Sequence, residues 1–155
     1  TKMSDKHWEL SLKSVAGALP IMLGDPRALS PADKQKFSMM THWFQQMQEQ
    51  HDIMSYRQDL PGFGEPQHGQ WDGFQRINTQ TESGGIVGVF RHGAVEDTRT
   101  VTIDFLEEDS VYQLNYATDN QVIKKATGKE LKEIGFEISL KKDYDGVLLE
   151  VSKVK

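Results

Sequence analysis

The second half of the chain alternates apolar and polar side chains in short segments, and this pattern restricts the possible folds strongly. The alternating segments are residues 100–105, 111–116, 136–140 and 147–151. Glycine-rich and acidic turns separate them, which is typical of an antiparallel β-sandwich rather than of strand–helix–strand units. We therefore predict a sandwich over residues 75–155, with the continuously apolar residues 85–91 as a central strand. The side chains expected in its core are Val101, Ile103, Phe105, Leu114, Ile138 and Leu149.

A long amphipathic helix is predicted before the sandwich. Ser30 is a typical N-cap residue, Pro31 suits the first helical position, and Asp33 stands three residues after the cap. One stripe of side chains then recurs in alternating steps of three and four: Phe37, Met40, Phe44, Met47, His51 and Met54. This spacing predicts a helix over residues 31–56, with Trp43 widening the stripe. We expect the stripe to pack in the core; a Met-rich groove for varied partners is the alternative.

The segments on either side of this helix predict two further elements. Residues 14–23 are apolar, and Pro20 within them favours a short buried strand over a helix. Residues 61–74 are rich in proline and glycine, which predicts an irregular linker. The chain is thus divided into residues 1–60, the linker, and residues 75–155.

Charge and composition exclude several classes of function. The chain has 18 basic and 23 acidic side chains, a net charge of −5, and no cysteine. An acidic chain without a basic cluster is not expected to bind nucleic acid, and one without cysteine forms no disulfide or thiolate metal site. The histidines match no helical zinc motif and the glycines match no phosphate-binding loop, so we predict no metal and no cofactor. No apolar run is long enough for a membrane span, so no membrane partner is predicted.

Four residues at the linker are candidates for contact with a sugar substrate. Glu65 and Asp72 flank His68 and Trp71 in the sequence. Glycoside hydrolysis uses two carboxyl groups, one to protonate the leaving oxygen and one to attack or to activate water. An aromatic ring beside carboxylates suits sugar recognition. The simpler interpretation is that Trp71 and Phe74 close the junction between helix and sandwich.

Two other functions stay open at this point. The first is a carbohydrate-binding β-sandwich module, which would expose coplanar aromatic rings. The rings available for it are Trp71, Tyr112, Tyr116 and Tyr144. The second is a small free-standing hydrolase that uses Glu65 and Asp72 together with His68 and Arg91. That hydrolase requires its four side chains to converge around one cavity.

Three stretches of the sequence carry a resemblance to a known family. Residues 18–25, followed by 29–33, are similar to the last strand, loop and helix of a (β/α)8 barrel. Residues 70–75 and 84–91 are similar to the start of the β-sandwich that follows such a barrel. The stretches similar to its closing part are residues 112–114, 127–131 and 135–140. The chain thus resembles the C-terminal portion of a bacterial glycoside hydrolase of the α-galactosidase (melibiase) clan.

The resemblance implies a mainly β fold with one long N-terminal helix: an antiparallel β-sandwich preceded by the last strand–helix unit of a truncated (β/α)8 barrel. The family's two catalytic aspartates lie on earlier barrel strands, so no residue here receives a catalytic role. The implied function is a structural segment of a sugar-cleaving, retaining hydrolase that lacks the catalytic carboxylates.

The resemblance also implies partners and a location. The partners are the N-terminal catalytic barrel of the same polypeptide and, through it, carbohydrate. A secreted or periplasmic location is favoured over a cytoplasmic one, and an uncovered helix face favours a homodimer. Because the first residue is Thr1, we expect a processed terminus or an excised fragment.

Overall fold

A computed structural model describes residues 5–14, 16, 27 and 29–155, with side chains from residue 10 onward. The helices are α1 (Asp5–Ser14), α2 (Pro31–His51), a 3₁₀ helix (Ile53–Ser55) and α3 (Gly128–Glu133). The strands are β1 (Gln58–Asp59), β2 (Gln70–Ile77), β3 (Gly84–His92), β4 (Thr98–Val101), β5 (Val111–Tyr116), β6 (Val122–Thr127), β7 (Phe136–Ser139) and β8 (Tyr144–Lys153). The strand predicted within residues 14–23 falls outside the described residues, apart from Ser14 at the end of α1 and Ala16. None of the described helices is long and apolar enough to cross a membrane.

Six strands form one sheet in the order β1-β2-β3-β8-β5-β6, and β4 pairs with β7 in a second, smaller sheet. Every ladder between these strands is antiparallel. The mainly β, antiparallel fold predicted from the sequence is therefore confirmed. Because β8 lies between β3 and β5, the last strand of the chain holds the two halves of the large sheet together.

The large sheet is buried on both faces. Val87 of β3 and Leu149 of β8 lie in the larger core, which the small sheet and α3 cover. Ile86 and Leu148 lie on the opposite face, in a second core with Trp43 of α2. Successive side chains of one strand enter different cores, so β3 is apolar at nearly every position. Its predicted central place in the sheet is confirmed.

The N-terminus of α2 forms as its sequence predicts, and the C-terminus does not. Ser30 Oγ accepts a hydrogen bond from the Asp33 backbone N–H at 3.1 Å. The helix ends at His51 rather than at residue 56, because Asp52 adopts a left-handed conformation with φ 50°. The Asp52 N–H bonds to Gln48 O at 2.9 Å and closes the last turn.

Only one edge of the predicted stripe on α2 is buried. The buried side chains of the helix are Trp43, Met47 and His51. The stripe residues that are only half-buried are Phe37, Met40 and Phe44. Met54 lies beyond the helix and is exposed. Buried positions in steps of four form one ridge, so Trp43, and not Phe44, is the main contact of this helix with the sheet.

Residues 70–74 of the predicted linker belong to β2. Gln70 pairs with His92 at the start of an uninterrupted ladder with β3. The sequence pattern does not predict this strand, because its polar residues Gln75 and Arg76 are buried. Gln75 Oε1 accepts from the Asp104 N–H and Arg76 donates to Tyr56 O, while Gln75 Nε2 has no hydrogen-bond partner among the described residues. Because these buried side chains are polar, the strand shows no simple alternation.

Phe105 is exposed, so its predicted place in the core is wrong. β4 ends at Val101, and Phe105 has φ 66° with 49% of its surface exposed. The alternation breaks because the Ile103 N–H bonds to Leu131 O of α3 and not to a neighbouring strand. The other predicted core residues are buried: Val101, Ile103, Leu114, Ile138 and Leu149.

Candidate functional site

One end of the large sheet brings together polar side chains from three neighbouring strands. β2 and β8 begin there and β3 ends there, because the three strands run antiparallel. His92 pairs with Gln70 on one side and with Tyr144 on the other. Asp72 lies two residues further along β2, on the same face. Together with His68, which precedes β2, the residues Asp72, His92 and Tyr144 form what we call the strand-end cluster.

Asp72 and His92 form a hydrogen-bonded pair within this cluster. The Asp72 carboxylate contacts Nε2 of His92, and the two side chains are 15% and 26% exposed. Burial raises the pKa of Asp72; His92 opposes this effect and the nearby Glu65 reinforces it. The pair therefore holds a carboxylate in a fixed direction and partly withdrawn from water, where it can accept a hydrogen bond from a ligand hydroxyl.

His68 and Tyr144 form the second pair of the cluster. Tyr144 Oη lies 2.5 Å from His68 Nδ1, with ring centroids 6.1 Å apart and planes inclined by 22°. Gly93, at φ 72°, lies directly against both rings. A Cβ at that position would approach His68 Cε1 to 3.1 Å and Tyr144 Oη to 3.2 Å. Because Gly93 has no side chain, the rings of His68 and Tyr144 can occupy the space beside its backbone.

Trp71, the remaining candidate from the sequence, does not reach this cluster. Its ring is 3% exposed and lies in the larger core between the two sheets. Its Nε1–H donates to Glu96 O at 3.1 Å, which satisfies the indole donor. Phe74, in contrast, packs in the core beside α2, as expected for a residue at the junction. Trp71 is therefore a core residue and not part of a sugar-contact surface.

A free-standing hydrolase would need Glu65, His68, Asp72 and Arg91 around one cavity, but these side chains do not all lie on the same face of the sheet. Arg91 pairs with Trp71 and points toward the larger core. It donates to Ala94 O at 3.0 Å and to Leu140 O at 3.0 Å. Asp72 lies on the opposite face of β2, and Glu65 is exposed on the loop before that strand. These four side chains do not line one cavity.

The structure adds His92, which the sequence does not indicate, and joins to the cluster Tyr144, which the sequence suggests only as a ring of a carbohydrate-binding module. His92 ends the strand β3 and Tyr144 begins β8, and no motif connects them with His68 or Asp72. Strand register brings them together, and register between distant segments cannot be read from one sequence. Of the four aromatic rings considered for a carbohydrate-binding module, Trp71 and Tyr112 are buried and Tyr116 is half-buried. Tyr144 is the exposed one.

The cluster is separate from a cavity of the fold, and the described residues place no metal centre in it. Among the described residues, no group of three or more histidine, aspartate or glutamate side chains is arranged to hold a metal ion. A cavity of about 260 Å³ lies elsewhere, between the two long helices and the large sheet. Leu12, Met40 and Leu148 contribute to its mainly apolar wall.

His51 is a buried histidine outside the cluster, at the end of α2. Its Nδ1 lies 2.8 Å from Ser83 Oγ on the turn between β2 and β3, and its Nε2 has no hydrogen-bond partner among the residues that the structure describes. Burial lowers the pKa of His51, and the negative charge of Glu150 partly opposes this. The neutral imidazole is therefore the form that fits the folded protein.

We expect the stability of the protein to fall as the pH drops below about 6.5, the ordinary pKa of histidine. In that range His51 of the unfolded chain takes up a proton that the folded chain resists, so protonation favours unfolding. Urea unfolding at about pH 7.5 and about pH 5.5 should show a smaller pH dependence in His51→Gln than in the native chain. His42→Gln, at an exposed position of the same helix, is the control. Equal pH dependence in the native chain and His51→Gln would contradict the prediction.

Comparison with solved structures relates the fold to α-galactosidases. The galactosidase domain of the α-galactosidase–sucrose kinase AgaSK matches with a TM-score of 0.64 at 16% identity, over 83% of this chain and 17% of that one. The GH36 α-galactosidase AgaA from Geobacillus stearothermophilus matches with a TM-score of 0.66 at 14% identity, over 83% and 17%. The α-galactosidase from Lactobacillus brevis matches with a TM-score of 0.63 at 14% identity, over 84% and 18%.

The chain resembles a C-terminal portion of a GH36 α-galactosidase. The resemblance predicted from the sequence is thus confirmed at the level of the fold. The chain spans 17–18% of the length of these enzymes. No protein-family model and no curated protein matches the sequence. Identities this low establish a shared fold, and the activity of the enzymes is not transferred with it.

Proposed function

We propose that this chain is a C-terminal structural segment of an α-galactosidase-like glycoside hydrolase, which supports the catalytic barrel and is not itself catalytic. The observation that carries the proposal is the likeness to solved α-galactosidases over 83–84% of this chain but only 17–18% of theirs. The parent reaction would be hydrolysis of a terminal α-linked sugar by a retaining mechanism with two carboxyl groups.

The surroundings of the acidic candidates support a non-catalytic role. A retaining glycosidase holds two carboxyl groups about 5–5.5 Å apart across the scissile bond. Asp72 is instead engaged by His92 on the sheet face, while Glu65 lies exposed on a loop. The buried Arg91, which the alternative hydrolase would use, lies on the other face. Asp72 and Arg91 are thus engaged in hydrogen bonds within the fold.

The attachment of the helices to the sheet supports the proposed partner, an N-terminal catalytic barrel of the same polypeptide. Lys13 of α1 donates to Gly146 O at 2.8 Å, and Leu10 packs beside that glycine. Trp43 of α2 packs against Ile86 of β3. These contacts attach both helices to the large sheet. A barrel that ended in these helices would therefore be attached to the sheet through them.

We expect the purified chain to show no hydrolysis of an aryl α-galactoside, because it would lack both catalytic carboxyl groups. The measurement is release of the aryl alcohol during a prolonged incubation. Glu65→Gln and Asp72→Asn, purified in parallel, serve as matched controls, since each keeps the shape of its side chain. Turnover that either variant abolishes would contradict the proposal and would favour the small hydrolase.

A further inference from the structure

The rings of His68 and Tyr144 lie side by side as one plate. The phenol oxygen of tyrosine lies in the plane of its ring, and the N–H or lone pair of an imidazole nitrogen lies in the plane of that ring. A hydrogen bond of 2.5 Å joins these two atoms, and the ring planes differ by 22°. With centroids 6.1 Å apart, the rings are joined edge to edge rather than stacked face to face. We call these two residues the ring plate.

The ring plate is exposed and held in position. Tyr144 has 49% of its surface exposed, and His68 is exposed as well. The backbone of Gly93 lies against both rings, and its N–H bonds to Asp143 O at 2.5 Å, immediately before Tyr144. Gly69, immediately after His68, bonds through its N–H to His92 O at 2.6 Å. The loops that carry the two rings are thus both hydrogen-bonded to the same strand end.

Hydrogen-bonding groups lie beside the ring plate. His92 is the direct cross-strand neighbour of Tyr144, and it holds the carboxylate of Asp72. Both side chains of this pair are partly exposed. A flat aromatic surface next to a fixed carboxylate and an imidazole offers an apolar platform together with directional polar groups. A sugar ring has the matching chemistry, because it combines an apolar C–H face with a rim of hydroxyl groups.

We propose that the ring plate and the Asp72–His92 pair form a contact site for a pyranose sugar. The C–H face of the sugar packs on His68 and Tyr144, and its hydroxyl groups bond to Asp72 and His92. The site involves no bond cleavage. The choice of α-galactosides as ligands rests on the proposed function, whereas the site itself rests on the geometry of these four residues.

A titration of the full chain with methyl α-galactoside and with raffinose tests this proposal, with NMR signals of the His68 and His92 rings as the readout. We expect saturable shifts of both rings in the native chain. Tyr144→Ala should weaken binding by about tenfold or more, because it removes the larger part of the plate. Tyr144→Phe keeps the ring but loses the hydrogen bond to His68, so an intermediate loss is expected. His68→Ala, on the exposed loop, provides a second variant if Tyr144→Ala folds poorly.

Phe105→Ala is the matched control, because Phe105 is also 49% exposed but lies on the loop after β4. It should bind as the native chain does. The proposal is overturned if the native chain shows no saturable shift, or if Tyr144→Ala and His68→Ala bind as tightly as Phe105→Ala. Absence of binding would leave the proposed structural role untouched, whereas hydrolysis by the chain would contradict that role and not the contact site.

Discussion

An Arg76→Met variant should lose about 3–5 kcal/mol of unfolding free energy, a large part of the total for a domain of this size. Arg76 is 4% exposed and points toward the helices. Its guanidinium donates to Ala16 O at 3.1 Å, to Ile53 O at 3.1 Å and to Tyr56 O at 2.8 Å. Methionine fills a similar volume but donates no hydrogen bond, so three carbonyl groups each lose the bond from Arg76.

Arg99→Met provides the control for this experiment. Arg99 donates to one exposed carbonyl, Gly62 O, at 2.6 Å and lies over the ring of Phe63. Its removal should cost about 1 kcal/mol or less. Urea unfolding followed by circular dichroism measures both variants. Equal midpoints for the two variants would show that Arg76 does not join the helical layer to the sheet as we infer.

A Gly85→Ala variant should lose at least about 3 kcal/mol, because the added methyl group meets backbone and not a flexible side chain. A Cβ at this position would lie 1.9 Å from Arg76 O and 2.9 Å from the carbon of that carbonyl. Gly85 pairs with Ile77 on one side and with Val151 on the other. Strands on both sides prevent β3 from moving away, so the clash has to be relieved by separating a ladder.

Gly64→Ala is the matched control, since a Cβ there meets no atom within 4 Å. This variant should keep the native thermal midpoint, while Gly85→Ala unfolds at a much lower temperature. A Gly85→Ala protein with the native midpoint would mean that the backbone around Gly85 shifts to accommodate the added methyl group. Hydrogen exchange of the β3 amides would then locate the adjustment.

The helix α2 shows which local features the sequence predicts reliably. Ser30 caps the helix as expected, because capping involves a side chain and a backbone group only three residues apart. The sequence does not predict the end at His51, since Asp52 carries no residue-type signal for a left-handed conformation comparable to that of glycine. The choice of Trp43 over Phe44 as the buried residue depends on how the helix lies against the sheet, which the periodicity does not specify.

The strand β2, in contrast to the start of α2, is not predicted by its local sequence. Its residues 70–74 read as part of the linker, because a strand buried on both faces loses the two-residue alternation. Hydrogen bonds to distant groups stabilise its polar side chains. Gln75 accepts from the Asp104 N–H at 3.1 Å, and Arg76 donates to segments far away in the chain. Such partners become visible only when the fold is known.

The candidate site was predicted in part. His68 and Asp72 are members of the strand-end cluster, whereas Trp71 faces the opposite side of β2. His92 and Tyr144 join the cluster through the pairing of β2, β3 and β8. A shift of one residue in either ladder would turn these side chains to the other face of the sheet.

The sequence by itself determined the antiparallel β character of the second half, the capped start of α2 and the resemblance to the end of an α-galactosidase. These depend on residue types within a few positions of each other, where periodicity and capping act. Only the tertiary structure decided that the large sheet is a middle layer with cores on both faces, and that four polar side chains meet at one of its ends. The reason is physical: strand order and register are set by the packing of segments far apart in the chain, and local patterns carry no information about that packing.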